Sequence, residues 1–163
     1  MESIKTVSRE IRPASWHLSL FQLKWLLPLV LLLILGACSG QSAPYSLAPD
    51  NQLPDFLQGA SYRVREAYRF AVANPDELGK YPCYCGCGAM GHESNLNCYI
   101  SDASRPESIA FDNHAAGCGI CVDITQDVMR LLGEGKSSPE IRTYVDATYS
   151  SFGPGTNTPL PVE

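Results

Sequence analysis

The 163-residue sequence predicts a mainly α-helical protein: a small helical domain with a C-terminal antiparallel helical hairpin and a cysteine-rich irregular loop. Three observations lead there. Apolar residues recur at helical spacing in three stretches, 55–73, 120–132 and 138–148. Between the first two lies a segment, 76–117, rich in Gly, Pro, Asn and Ser and poor in periodicity. Within it, Tyr81-Pro82-Cys83-Tyr84-Cys85-Gly86-Cys87-Gly88 places three cysteines at alternate positions. An irregular segment of that length needs something to hold it, and metal or disulfides would do so.

The first helix is expected over 55–73. Phe56, Ala60, Val64, Ala67, Tyr68 and Ala71 form its apolar stripe, with Arg63, Glu66 and Arg69 off it. Asn74-Pro75 ends it, because the residue before proline avoids the α region. A short strand is expected over 96–100. Cys121, Ile124, Val128, Leu131 and Leu132 share one face of the second helix, which Gly133 and Gly135 terminate. Ser138-Pro139-Glu140 restarts a helix, with Ser138 as cap and proline in the first turn. Ile141, Tyr144, Val145 and Thr148 line its inner side. The short link between these two helices makes them antiparallel neighbours. Gly153-Pro154-Gly155 breaks the chain, and 154–163 reads as a disordered tail.

The beginning of the chain reads as a targeting segment. Lys5, Arg9, Arg12 and Lys24 precede an apolar run from Trp25 to Ala37, short for a membrane span of ~20 residues. Basic residues, an apolar run and small residues before a cleavage point make a secretory signal peptide. Leu35-Gly36-Ala37-Cys38 resembles a bacterial lipoprotein lipobox, which implies cleavage before Cys38 and lipidation of its sulfur. The alternative is an uncleaved anchor; either places the remainder outside the cytoplasm. The organisation is therefore a lipoprotein signal peptide (1–37), a flexible tether (38–54), a cysteine-rich domain (55–153) and the tail. From Cys38 onward acidic residues outnumber basic ones 15 to 8. That excludes nucleic acid as a partner, which asks for a basic face, and excludes charge-driven binding to anionic headgroups. The expected location is the cell membrane, by lipid anchor and facing outward, with a metal-exchange or thiol-exchange protein as partner.

Six cysteines remain for chemistry: Cys83, Cys85, Cys87, Cys98, Cys118 and Cys121. In a flat strand, residues two apart sit roughly 6.5–7 Å apart, too far for a disulfide without bending. Gly86 and Gly88 permit the bending. A curled loop would bring three sulfurs around one point, as a thiophilic metal needs. The candidate ligands are the six cysteines, with His92 and His114 as nitrogens and Met90 as a thioether. Soft thiolates select Cu(I) or Zn(II). Clustered Cys-x-Cys units suit Cu(I), which accepts few ligands and bridging sulfurs, so copper is the expected ion and zinc the alternative. An exported position disfavours iron–sulfur ligation, and no Cys-x-x-Cys-His attaches haem.

Two other readings stand beside this one. Cys118 and Cys121 form a Cys-x-x-Cys at a helix start, where unpaired N–H groups favour a thiolate. Cys118 would attack and Cys121 would resolve, giving thiol–disulfide exchange. Alternatively, all six cysteines pair as structural staples, which an exported location permits. No serine sits in a Gly-x-Ser-x-Gly elbow and the carboxylates are scattered, so a binder is expected more than an enzyme.

Pro82-Cys83-Tyr84-Cys85-Gly86-Cys87 resembles the signature of the bacterial PCYCGC-motif proteins, often predicted lipoproteins. Gly91-His92, Asn97-Cys98-Tyr99, Phe111-Asp112-Asn113-His114 and Gly117-Cys118-Gly119-Ile120-Cys121 fit it too, over roughly residues 55–159. A second resemblance joins Cys118-Gly119-Ile120-Cys121, the following helix and Glu140-Ile141-Arg142-Thr143-Tyr144-Val145 to the cytochrome c maturation thiol reductases. It implies a role in maturing exported cytochromes. This chain departs from that pattern, because its helix follows the second cysteine directly and it adds the Cys-x-Cys-x-Cys segment.

Overall fold

A computed structural model of the protein describes residues 44–102 and 108–162. The expected signal peptide (1–37), the lipidation site Cys38 and the first part of the tether lie outside the described residues. The elements in chain order are α1 (Tyr62–Ala73), α2 (Pro75–Leu78), β1 (Ile100–Asp102), β2 (Ala110–Phe111), α3 (His114–Gly117), α4 (Gly119–Gly133) and α5 (Ser138–Tyr149), with short 3-10 turns between them. The mainly α class holds. Among the described residues the strands form one small antiparallel pair, Ile100 opposite Phe111 and Asp102 opposite Ala110. No helix among the described residues is long and apolar enough to cross a membrane.

The first helix starts later than its periodicity suggests. Residues Asp55–Leu57 make a single 3-10 turn. The helix proper begins after Ser61, whose Oγ accepts the Val64 N–H. Such a cap satisfies one of the donors orphaned at a helix start. Ala67, Tyr68 and Ala71 are buried as the stripe requires, and Phe70 joins them. Phe56, outside the helix, is half-exposed. The expected strand 96–100 is likewise displaced. Ser94 and Asn97 form a capping box that opens a 3-10 turn over Asn95–Cys98, so the strand starts only at Ile100.

The two long C-terminal helices form the expected hairpin. Cys121, Ile124, Val128 and Leu131 are buried on α4, and α4 packs on both α1 and α5. Gly135, at φ +76, makes the left-handed reversal that ends α4. The cap of α5 is Ser137 rather than Ser138. Its backbone and hydroxyl both reach Glu140, which leaves Ser138 as the first helical residue. Tyr149 rather than Thr148 completes the buried row after Ile141 and Val145, since the row advances four residues at a time.

Both ends of the domain are more ordered than their composition suggests. In the segment expected to be a tether, Tyr45 packs edge-on against Phe70 at 5.2 Å. The Ala48 N–H donates to the Arg69 carbonyl at 3.1 Å, and the Arg69 guanidinium returns a bond to the Ala48 carbonyl. Segment 154–162 is not a free tail. Thr156 and Thr158 are buried. The Thr156 N–H donates to the Cys83 carbonyl at 3.0 Å, and its hydroxyl accepts the Cys83 N–H at 3.0 Å. Arg142 donates to the carbonyls of Thr158 and Pro159. Gly155 permits the approach: a Cβ there would stand 2.9 Å from the Tyr84 ring. A strap of small and hydroxyl residues can thus satisfy backbone that a helix cannot reach.

Replacing Thr156 with Val should lower stability by about 1–3 kcal/mol, because the buried Cys83 N–H loses its acceptor. Thr156→Ser should retain most of it. Urea unfolding of the two variants checks this.

Candidate metal centre

Three chain segments supply the centre. The first is the curl 83–87. Gly86 takes φ +86 and lets the chain fold back. Gly91, at φ +88, makes the second reversal; Gly88, expected as a hinge, is not left-handed. Tyr84 points away from the sulfurs, its hydroxyl donating to Asp146 on α5 at 2.7 Å. The second segment is the turn carrying His92 and Cys98. The third is the α3–α4 junction, with His114, Cys118 and Cys121.

The sulfurs converge. Cys83 Sγ lies 3.3 Å from Cys85 Sγ and 3.4 Å from Cys121 Sγ, and Cys85 and Cys121 are 3.7 Å apart. Cys87 and Cys98 sulfurs are 3.6 Å apart. His114 Nε2 is 3.2 Å from Cys85 Sγ, and His92 Nδ1 is 3.5 Å from Cys98 Sγ. Four sulfurs on one tetrahedral ion, each at ~2.3 Å, stand about 3.8 Å apart, close to these separations. Among the described residues, three groups of donors have all ligand atoms within 4.8 Å of one another: Cys83, Cys85, Cys98 and Cys121; Cys85, His114, Cys118 and Cys121; and Cys85, Cys87, Cys98 and His114. Seven of the nine expected ligands fall in these groups, and His92 adjoins them through Cys98. Met90 is largely exposed.

The thiols share their protons unevenly. The Cys83 thiol is held well below its ordinary value by hydrogen bonds from Cys121 and then Cys98. Cys121 is pushed up, first by its hydrogen bond to Cys83, then by that to Cys98 and by burial. Burial, followed by the bond to Cys83 and the charge there, raises Cys85. Burial and the Cys83 charge raise Cys87. On Cys98 the Cys121 bond pulls downward, but the bond to Cys83, burial and the neighbouring charges outweigh it. One thiolate is thus stabilised by surrounding thiols, and further ionisation calls for a cation among them.

Several positioning residues were not legible as such. Asp112 is the main one. Its Oδ1 accepts the His114 backbone N–H at 2.7 Å, an Asx-type turn, and its Oδ2 stands 3.7 Å from His92 Nε2. The backbone of Asp112 is fixed in turn, its N–H donating to the Tyr99 carbonyl and its carbonyl accepting the Tyr68 hydroxyl. The Cys121 carbonyl accepts from Tyr99 Oη at 2.8 Å and Thr125 Oγ1 at 3.2 Å. Asn95 Nδ2 donates to Thr125 Oγ1 at 2.8 Å. The Asp-x-His spacing at 112–114 was the available signal; the buried Tyr99–Asn95–Thr125 group carried none.

Fold and site together define a small helical domain whose described residues are built around a cluster of cysteines and histidines. More particularly, the chain belongs to the family described as "Protein of unknown function with PCYCGC motif", whose model matches residues 45–161. That match takes in the ordered segment 45–54 ahead of α1 and nearly all of the C-terminal strap. Neither the curated proteins nor the solved structures include a match.

Under anaerobic, metal-free conditions Cys118, partly exposed, should react first with iodoacetamide; Cys85, also partly exposed but with its thiol raised, should follow. Cys83, Cys98 and Cys121, each 0% exposed, should react at least tenfold more slowly until the protein is unfolded. Mass mapping of timed samples checks the order.

Proposed function

We propose that this protein is an exported, lipid-anchored lipoprotein that binds a thiophilic metal ion through its cysteine cluster, copper in preference to zinc. It would serve in storage, delivery or detoxification outside the cytoplasm. The observation that carries the reading is the convergence of Cys83, Cys85, Cys98 and Cys121, whose sulfurs all lie within 4.8 Å of one another, with His92 adjoining the set. One ring nitrogen faces Cys98 Sγ and the other faces the Asp112 carboxylate. A carboxylate behind a histidine whose second nitrogen faces the donor set is the arrangement that orients metal-ligating histidines. Disulfide staples make no use of it. The soft, sulfur-dominated donor set supports copper over harder ions. The lipid anchor and outward location rest on the basic segment, apolar run and Leu35-Gly36-Ala37-Cys38 of the sequence.

The dithiol reading has one observation in its favour. Cys118 is partly exposed at the start of α4 while Cys121 is buried behind it, the disposition of an attacking and a resolving thiol. Cys121 Sγ, however, sits 3.4 Å from Cys83 Sγ and 3.7 Å from Cys85 Sγ, so a Cys118–Cys121 pair would have to compete with them.

Full-length protein purified anaerobically in mild detergent should carry near-stoichiometric copper or zinc by elemental mass spectrometry, with free thiols recovered only on metal removal. Cys85→Ser should lose most of the metal. An intact mass six protons light, with no metal taken up after reduction, would overturn the reading in favour of staples. A mass two protons light with the bond mapped to Cys118–Cys121 would favour thiol exchange. Because the raised thiols must deprotonate to bind, loading should release protons, and apparent affinity should fall as pH is lowered. Calorimetry in buffers of different ionisation enthalpy reads that proton count.

A further inference from the structure

The cluster has more donors than one ion can use. A tetrahedral ion takes four and Cu(I) takes fewer still, whereas the three groups together contain seven ligand residues. The groups are not separate sites, because Cys85 belongs to all three. The first two also share Cys121, so that Cys85 and Cys121, 3.7 Å apart, form a common edge. A thiolate has several lone pairs and can bridge two soft cations. A neutral imidazole has one acceptor nitrogen and cannot bridge. The second and third groups both need His114, so only one of them can be filled beside the first.

Burial distinguishes the second group from the first. In the first group Cys83, Cys98 and Cys121 are fully buried. In the second, Cys85, His114 and Cys118 are all partly exposed and only Cys121 is buried. Cys118 also lines a surface cleft of about 270 Å³ at the start of α4, which the Arg63–Asp123 ion pair borders. The second group is thereby the most exposed of the three, with three partly exposed ligands against two in the third, and it gives Cys118 a place that the other two groups do not. Sharing an edge also limits the charge to be buried. Two ions on the joined groups need five thiolates, where separate sites of the same composition need seven.

We infer that the cluster is a dinuclear centre: a buried ion on Cys83, Cys85, Cys98 and Cys121, and an outer, exchangeable ion on Cys85, Cys118, Cys121 and His114, bridged by the Cys85 and Cys121 sulfurs. This rests on the metal-binding reading above. The buried position fills first and is kept. The outer position fills second, through the cleft beside Cys118, and is the one a partner or a small chelator empties.

The test uses the full-length protein, reduced, in detergent, titrated with cadmium-113 as a soft divalent probe. Two equivalents should bind. The first should give a cadmium resonance in the tetrathiolate range. The second should give a more shielded one, as three sulfurs and a nitrogen require, with cadmium–cadmium coupling through the shared sulfurs. Cys118→Ser should bind one equivalent and keep the first resonance; His114→Ala should weaken or shift only the second. A single equivalent with one resonance would overturn the dinuclear centre while leaving metal binding intact. So would two uncoupled resonances, or loss of the second ion in Cys87→Ser but not in Cys118→Ser. Failure of the reduced protein to take up cadmium and Cu(I) alike would overturn both readings, and uptake of Cu(I) without cadmium would overturn the dinuclear centre alone.

Discussion

The structure depends on holding the first turn of α4 against the curl 83–87. The Cys121 side chain, fully buried, must reach Cys83 and Cys85 from a different part of the chain. Its carbonyl is fixed by Tyr99 and Thr125, which Asn95 joins. Asn95 in turn donates its backbone N–H to Tyr81, two residues ahead of Cys83. One buried polar network therefore sets both sides of the cluster in register. Such a network is worth more than its separate bonds, since a missing member leaves the others unpaired in a medium that does not solvate them.

The surrounding elements follow from that requirement. Tyr68 on α1 packs edge-on against Tyr99 at 4.9 Å and holds the Asp112 backbone. Asp112 then presents His114 and faces His92. The C-terminal strap closes the other side by pairing with Cys83. The core that α1, α4 and α5 build is conventional aliphatic and aromatic packing, and its role toward the cluster is to keep these short, irregular pieces from relaxing. In this light copper binding and thiol exchange make different demands on the same scaffold. The first needs the donors held still, the second needs one sulfur free to leave its neighbours. The hydrogen bonds behind Cys121 and the carboxylate behind His92 favour holding.

The helical framework was readable because α4 and α5 repeat apolar residues at helical spacing and end in glycine or begin with a capping box. Their inner faces came out nearly residue for residue, with Tyr149 in place of Thr148. The cysteines and histidines of the centre were readable by residue type. What composition concealed was order in segments lacking periodicity. Residues 44–54 and 154–162 are rich in Pro, Gly, Ser, Thr and Asn, the signature of free chain. They are held instead by backbone bonds to Arg69 and Cys83 and by side chains such as Tyr45 and Thr156. Long-range pairings of that kind leave no local pattern. The same is true of Asp112 and of the Tyr99–Thr125–Asn95 group, whose roles depend on neighbours from separate segments. Boundaries moved where a single hydroxyl decided them, at Ser61, Ser94 and Ser137.

The docking of Tyr45 and Ala48 on α1 changes the reach of the cluster. If the chain is anchored at Cys38, a free tether running to residue 54 would let the domain range roughly 60 Å from its lipid, at about 3.5 Å per residue. With the chain already captured at Tyr45, the slack is roughly 25 Å at full extension. That is less than the thickness of the bilayer's own hydrocarbon core, ~30 Å. On the anchored metal-carrier reading proposed above, the domain would then be a short-leashed device at the lipid surface, suited to hand its ion to proteins embedded beside it rather than to forage for it in the space beyond.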